Sequence, residues 1–147
     1  CKNEYYDINR NFNLDNNNYL EKKIMDLIED ADFVLDFHEG YDFHKINNNS
    51  IGSTISPINN NISINMSNYL VKNINKTITD NNKKFITLIN DNYDIKNTLR
   101  DYCEKKNINY NLVEITGQNN KQKLELRISQ TINILENFFN FYNIIKK

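Results

Sequence analysis

The sequence contains only two cysteines, Cys1 and Cys103, and no CxxC pair. Two cysteines are too few for a disulfide framework, and without a CxxC pair they give no sign of a cysteine-based zinc site. No apolar run approaches the roughly 20 residues that a membrane-spanning helix needs, and no basic segment followed by an apolar one opens the sequence. These absences predict a chain that does not insert into a membrane and that resides in a reducing, cytoplasmic compartment.

The sequence also lacks a dominant charge of one sign. Its 18 basic and 19 acidic residues give a formal net charge of -1, which argues against a global attraction to nucleic acid or to a membrane surface. Asparagine is far more frequent than in an average protein. Apolar periodicity persists between the asparagine clusters, which favours the codon bias of an AT-rich genome over a disordered low-complexity chain.

A continuous apolar run leads into a cluster of ionisable side chains within residues 31–44, ADFVLDFHEGYDFH. The run, closed by Gly40, predicts a strand over Ala31–His38 that is buried on both faces of a parallel sheet. Catalytic groups gather just beyond the carboxyl ends of such strands. Because side chains alternate along a strand, Asp36 and His38 are expected on the same side, where the carboxylate can orient a histidine metal ligand.

The histidine content leaves two interpretations of this segment open. Asp42 stands where an HExxH motif requires its second histidine, so that motif is absent. The spacing between His38 and His44, the only other histidine, is one that no regular element imposes. Since a catalytic zinc normally has three protein ligands, the alternative to a metal ligand is a hydrogen-bonded structural histidine at the strand end.

A second cluster, DINRNF over residues 7–12, places an amide beside a guanidinium. Asn9 and Arg10 together are suited to gripping a carboxylate, because a guanidinium presents two parallel donors to the two carboxylate oxygens. The alternative is a solvated turn with an incidental arginine, in a chain where asparagine is common. This segment is therefore a candidate substrate-binding loop.

A third cluster, LVEITG over residues 112–117, places Glu114 near the end of an apolar strand, Asn109–Thr116. Removal from water there would raise the pKa of the carboxyl group toward the range of a general base. The alternative is a glutamate paired with a nearby cation such as Arg127. The sequence assigns no separate role to Glu39, His44 or Arg127.

Helices alternate with strands along the rest of the chain, which predicts an α/β domain with a mainly parallel sheet. The first helix is expected to bury one stripe, formed by Leu20, Ile24, Leu27 and Ile28, and the last helix another, formed by Leu124, Ile128, Ile132, Leu135, Phe139 and Tyr142. Asn16–Asn18 are expected to cap the first helix, and the last helix is expected over Lys121–Tyr142. The other predicted elements are a long loop over Tyr41–Asn61, a helix over Ser63–Thr79, a strand over Phe85–Asn90 and a helix over Asp94–Lys106.

The three motifs, in the order DINRNF, VLDFHEG and VEITG followed by KLELRISQ, resemble the later part of the catalytic domain of zinc carboxypeptidase-like enzymes. The closest resemblance is to the succinylglutamate desuccinylase/aspartoacylase family, in which a D-L-N-R-x-F motif precedes an I-D-L-H strand end and a strand that holds the catalytic glutamate. The resemblance implies a three-layer αβα fold with a mainly parallel, mixed central sheet. It also implies that residues 1–147 form a single, partial zinc-hydrolase catalytic domain.

The same resemblance implies a role for each matched residue. Asn9 and Arg10 would bind a substrate carboxylate, His38 would bind zinc, and Glu114 would act as the general base and acid. The implied reaction is hydrolysis of an amide bond next to a carboxylate-bearing group, by a deacylase or a carboxypeptidase, with zinc as cofactor. The implied partner is therefore a small-molecule or peptide substrate that carries a carboxylate.

The sequence departs from the family's pattern in three respects. The first two zinc ligands of the family lie in an amino-terminal H-x-x-E motif, which this sequence lacks, and the β-rich carboxyl-terminal domain does not appear either. Lys2 is the nearest basic residue where the aspartoacylase-like branch has an arginine ahead of the Asn–Arg pair. We therefore expect an amino-terminal part that carries HxxE to precede Cys1; the alternatives are an inactive carboxylate-binding relative and an asparagine-rich interaction module.

Overall fold

The structure is a computed structural model that describes residues 7–13, 18–89 and 95–145. Within these residues the chain forms four helices and four strands, linked by loops and 3₁₀ turns. Some predictions fall on residues outside the described ranges, namely Cys1, Lys2, Asn16, Asn17, Asn90 and Asp94. The helices are α1 (Tyr19–Ile28), α2 (Asn61–Ile74), α3 (Leu99–Lys105) and α4 (Leu124–Ile145). The strands are β1 (Phe33–Gly40), β2 (Thr54–Pro57), β3 (Ile86–Thr87) and β4 (Asn109–Thr116).

Polar caps set where two of the helices begin. The Asn60 side chain accepts a hydrogen bond from the backbone N–H of Ser63 over 2.8 Å at the start of α2. The Thr98 side chain accepts one from the N–H of Asp101 over 3.2 Å at the start of α3. Each cap satisfies an amide group that has no partner within its helix. Thr98 therefore starts the third helix later than its apolar spacing predicted.

The strands form one mixed sheet in the order β1–β4–β2–β3. The pairs β1–β4 and β2–β3 are parallel, whereas β2 runs antiparallel to β4. The predicted mainly parallel, mixed sheet is thus confirmed. The predicted loop Tyr41–Asn61 was wrong in one part, because it contains β2. That strand is only four residues long and ends in Pro57, so neither its length nor its composition marks it as a strand in the sequence.

The sheet separates two hydrophobic clusters, which confirms the three-layer αβα architecture. Side chains alternate along β4: Tyr110 and Leu112 join the cluster that α1 and α3 cover, and Val113 and Ile115 join the cluster that α2 and α4 cover. The first cluster is completed by Phe12, Met25, Ile58, Tyr102, Cys103 and Ile108. The second is completed by Ile55, Met66, Leu70, Ile74, Phe85 and Ile134.

Strand β1 is less buried than the sequence predicted. Its apolar residues Phe33, Val34, Leu35 and Phe37 are half-buried, rather than enclosed on both faces. The physical reason is its position, because within the described residues β1 pairs only with β4 and therefore lies at an edge of the sheet.

The buried face of α4 is not the one that the sequence predicted. Most of the predicted stripe is exposed, and Ile134 packs into the core instead, with Phe138 and Phe141 against the same cluster. Helix α4 carries apolar residues on two faces, so periodicity alone could not select the buried one. The exposed residues of the predicted stripe are Leu124 (56%), Ile128 (50%), Ile132 (50%) and Phe139 (59%).

Helix α1 differs from its predicted stripe in the same way. Leu27 is 82% exposed and Leu20 is also exposed, whereas Met25 is buried and Ile24 and Ile28 pack against the first cluster. None of the described helices combines the length and the apolar character needed to cross a membrane.

Candidate functional site

The register between β1 and β4 brings two of the predicted site residues together. In this parallel pair His38 is aligned with Glu114, and Asp36 with Leu112. Because side chains alternate along each strand, Asp36, His38 and Glu114 project from the same face of the sheet. Residues that are far apart in the sequence therefore become neighbours through one strand pairing.

The imidazole of His38 lies between two carboxyl groups. Its Nε2 is 3.3 Å from Asp36 Oδ2, and its Nδ1 is 3.9 Å from Glu114 Oε1. The hydrogen bond to Asp36 is the main reason why the pKa of His38 is raised, against the opposing effect of burial. If Nε2–H donates to Asp36, then Nδ1 carries the lone pair that can bind a metal ion.

Glu114 is buried, with 4% of its surface exposed. This burial raises the pKa of its carboxyl group to about 7; the nearby His38 lowers the pKa and Asp36 raises it. A carboxyl group with a pKa near neutrality can both accept and return a proton at physiological pH. Glu114 therefore has the proton affinity that a general base and acid requires.

Asn9 and Arg10 lie in a 3₁₀ turn, Ile8–Arg10, which Asp7 caps by accepting the N–H of Asn9 over 3.0 Å. The Asn9 side-chain oxygen accepts the backbone N–H of Leu99, at the start of α3, over 2.9 Å. This bond fixes the orientation of the amide and leaves its Nδ2 group as a donor. Asn9 thus joins the turn to α3 and keeps a donor that a substrate carboxylate can use.

The guanidinium of Arg10 is held by its own turn. Its Nη1 donates to the Asn9 carbonyl over 2.6 Å and lies 3.7 Å from Asp7 Oδ2. The Arg10 side chain is 49% exposed and that of Asp7 is 55% exposed. An ion pair this exposed contributes little stability. The carboxylate of a ligand can therefore replace Asp7 at the guanidinium at little cost.

All four predicted site residues, Asn9, Arg10, His38 and Glu114, line one cavity of about 680 Å³. This volume suits a small molecule or the end of a peptide. The wall also contains the acidic residues Asp7 and Glu39 and several neutral residues, among them Tyr41, Asn49, Ser50, Ile95 and Gln118. The cavity therefore combines a cationic group, a proton carrier and a potential metal ligand.

Three residues whose roles the sequence left open have structural partners. Arg127 pairs with Glu39, so the alternative in which Arg127 neutralises Glu114 was wrong. His44 Nδ1 lies 2.6 Å from the carbonyl oxygen of Ser50, to which it donates, and this contact closes the loop after β1. The structure therefore does not bring His44 to His38 as a second metal ligand.

The described residues of the site supply only part of a catalytic zinc centre. Within residues 7–13, 18–89 and 95–145, no group of three histidine, cysteine, aspartate or glutamate side chains is arranged to hold a metal ion. His38, with Asp36 behind it, fits a single ligand with its orienting carboxylate. A catalytic zinc needs three protein ligands, so two would have to come from outside the described residues.

Two residues of the site were missed by the sequence analysis. The Tyr110 hydroxyl donates to Asp36 Oδ2 over 2.8 Å, and Asp7 lies against Arg10. Tyr110 precedes Glu114 on the same face of β4, and this alternation was a signal that could have identified it. Asp7 is part of DINRNF, but only the geometry shows that it competes for the guanidinium.

No protein-family model matches the chain, and no curated protein matches it in sequence. Solved structures of the cell shape determinant Csd4 from Helicobacter pylori do match it. The mDAP-bound form, described as a D,L-carboxypeptidase, has a TM-score of 0.79 at 18% identity and covers 96% of this chain and 39% of its own. The fold is carboxypeptidase-like. The apo form matches with a TM-score of 0.78 at 18% identity, and the tripeptide-bound form with 0.78 at 17%, over the same shares of both chains.

The chain spans 39% of the length of these Csd4 structures. At 17–18% identity the likeness shows the fold alone. The broad expectation of a zinc-carboxypeptidase type of fold is therefore confirmed. The narrower expectation, the succinylglutamate desuccinylase/aspartoacylase family, stays a prediction.

Proposed function

We propose that this chain is a partial catalytic domain of a zinc-dependent hydrolase that cleaves an amide bond next to a carboxylate-bearing group. The observation that carries the proposal is the shared cavity, in which His38 Nδ1 lies 3.9 Å from Glu114 and which Arg10 also lines. A metal ligand, a proton carrier with a pKa of about 7 and an anion-binding group are the parts that metal-assisted amide hydrolysis needs.

Each residue has a defined task in this proposal. Arg10 and the Asn9 amide bind the substrate carboxylate and so fix which amide bond enters the site. Glu114 takes a proton from the attacking water and returns it to the leaving amine. His38 would be one of the residues that hold zinc, through Nδ1, while Asp36 holds its Nε2–H. Zinc, when bound, supplies a Lewis acid that polarises the scissile carbonyl; its remaining ligands would come from the amino-terminal part expected to precede Cys1.

A peptide with a free carboxyl terminus is the substrate class that we favour over an acylated amino acid. The support comes from the Csd4 structures, one of which binds mDAP and another a tripeptide. An acylated amino acid, the substrate class that the succinylglutamate desuccinylase/aspartoacylase resemblance implies, presents the same carboxylate to Arg10. The cytoplasm remains the predicted compartment.

Carboxylate binding is tested with the chain itself. We expect an mDAP-containing tripeptide to shift the NMR signals of the turn Ile8–Arg10, and Arg10→Ala to weaken this binding about tenfold or more, because a charge-assisted pair is lost. Lys76→Ala, which removes a lysine from the turn that follows α2, is the matched control and should leave the binding unchanged. Equal affinity in the Arg10→Ala variant would overturn the assignment of the cavity.

Zinc binding separates the proposal from its alternative, an inactive carboxylate-binding relative. The alternative is favoured by one observation, the lack of a three-ligand group among the described residues. We expect metal analysis after dialysis to show zinc in a protein that includes the preceding segment, and His38→Ala to abolish it. His44→Ala is the matched control and should retain the metal. Tripeptide binding without zinc in that longer protein would establish the alternative.

A further inference from the structure

Tyr110 connects the core of the domain to the potential metal ligand. Its side chain is almost fully buried, with 1% of its surface exposed, in the cluster between the sheet and the helices α1 and α3. From there its hydroxyl donates to Asp36 Oδ2 over 2.8 Å. The same carboxylate oxygen lies 3.3 Å from His38 Nε2. One oxygen atom is thus shared between a phenol and an imidazole.

The direction of these hydrogen bonds follows from the chemistry of the groups. An ionised carboxylate only accepts, so both the phenol O–H and the imidazole Nε2–H must donate to Asp36. A carboxylate held by a buried phenol cannot rotate away from the ring without breaking that bond. A neutral imidazole that carries its proton on Nε2 has an unprotonated Nδ1, and in His38 this atom faces Glu114 and the cavity.

We propose that Tyr110 is a positioning residue, which acts through Asp36 to fix both the tautomer and the ring orientation of His38, so that Nδ1 is the atom presented to the metal. The part that concerns the metal rests on the proposed function. The part that concerns the tautomer does not, because the three side chains and their distances are present in the chain without any ligand.

The other histidine provides an internal reference. His44 Nδ1 donates to the carbonyl oxygen of Ser50 over 2.6 Å, so a neutral His44 has the opposite tautomer. The two histidines of the chain are therefore expected to give opposite patterns in ¹⁵N NMR spectra of the imidazole rings, recorded at a pH at which both rings are neutral.

The test compares Tyr110→Phe with Tyr102→Phe in the full chain. Tyr102 is a tyrosine in the same cluster, so its variant controls for the loss of a phenol hydroxyl from that cluster. In Tyr110→Phe we expect His38 to become a mixture of tautomers, while His44 keeps its own. In the control both patterns should stay as in the unchanged chain.

A second readout is the affinity for Zn²⁺, measured by competition with a chelating dye on the longer protein that includes the segment expected to supply the other zinc ligands. Loss of the group that fixes the orienting carboxylate is expected to weaken Zn²⁺ binding about tenfold, with no change in Tyr102→Phe. Asp36→Asn removes the carboxylate that links Tyr110 to His38. This variant provides the tautomer test if Tyr110→Phe does not fold.

The outcomes separate the two claims. An unchanged single Nε2–H tautomer of His38 in both Tyr110→Phe and Asp36→Asn would overturn the inference. A changed tautomer together with a longer protein, including the preceding segment, that does not retain Zn²⁺ would support the positioning role and overturn the proposed zinc chemistry instead. A changed tautomer together with weakened Zn²⁺ binding supports both.

Discussion

Glu114 is predicted to reduce the stability of the fold at neutral pH. Its carboxyl group has a pKa of about 7 in the folded protein against an ordinary value of 4.5, chiefly because it is buried. The folded protein therefore binds this proton more tightly than the unfolded chain does. The resulting stability is fully present below about pH 4.5 and is lost as the pH rises through about 7.

The size of the effect follows from the difference between the two pKa values. At 1.36 kcal/mol for each pH unit, the full loss is about 3 kcal/mol, most of it between pH 5 and pH 8. Glu114→Gln keeps the shape of the protonated acid but cannot ionise. We expect the variant to match the unchanged protein at about pH 4 and to be more stable than it at about pH 8, by roughly 3 kcal/mol.

The assay is urea-induced unfolding, followed by circular dichroism, across this pH range. A smaller loss of stability with rising pH should remain in the variant, because the pKa of His38 is also raised, mainly by its hydrogen bond to Asp36. Glu104→Gln, at an exposed position on α3, is the matched control and should follow the unchanged protein throughout. Identical pH dependence with and without Glu114 would refute the claim that its burial controls its proton affinity.

Substitutions at three further positions test other parts of the site. Asn9→Asp keeps the oxygen that accepts the N–H of Leu99, so it should keep most of the stability while losing carboxylate affinity. Asn9→Ala should lose carboxylate affinity and also destabilise the fold by about 1 kcal/mol, measured by urea unfolding. Asp7→Asn removes the charge that competes for the guanidinium and should tighten tripeptide binding in NMR titrations, so weaker binding would contradict this role. Gly40→Ala would push a methyl group into the backbone of Gly52 and should lower the free energy of unfolding by about 1–3 kcal/mol. Unchanged stability would show that the chain around Gly40 and the chain around Gly52 can move apart.

The sequence predicted an element best where the apolar pattern of that element alone identifies the part that the fold buries. Strand β4 was predicted with its observed bounds, because its apolar run is long and Gly117 follows it directly. Strand β2 was missed, since its pairing with β4 is a long-range contact that four residues cannot signal. The prediction of the buried face of α4 was wrong for a related reason. The sheet below the helix, and not the helix itself, selects which of its apolar faces is covered.

The candidate site was predicted as separate residues rather than as a geometry. The motifs contain Asn9, Arg10, His38 and Glu114, and all four line one cavity. Contacts between side chains from distant segments could not be predicted in this way. The bond from Tyr110 to Asp36 depends on the register of two strands, which no local pattern encodes.

The parallel pairing of β1 with β4 has a consequence for how the candidate site is assembled. Two strands so distant in sequence must close a large loop before they gain any contact, so their pairing is expected late in folding. A slip of one residue would turn Glu114 to the opposite face of the sheet. Molecules trapped in that slipped arrangement would retain nearly all of their helix and strand content yet lack the assembled site. Ligand binding, and not circular dichroism, is therefore the measure of a correctly assembled preparation.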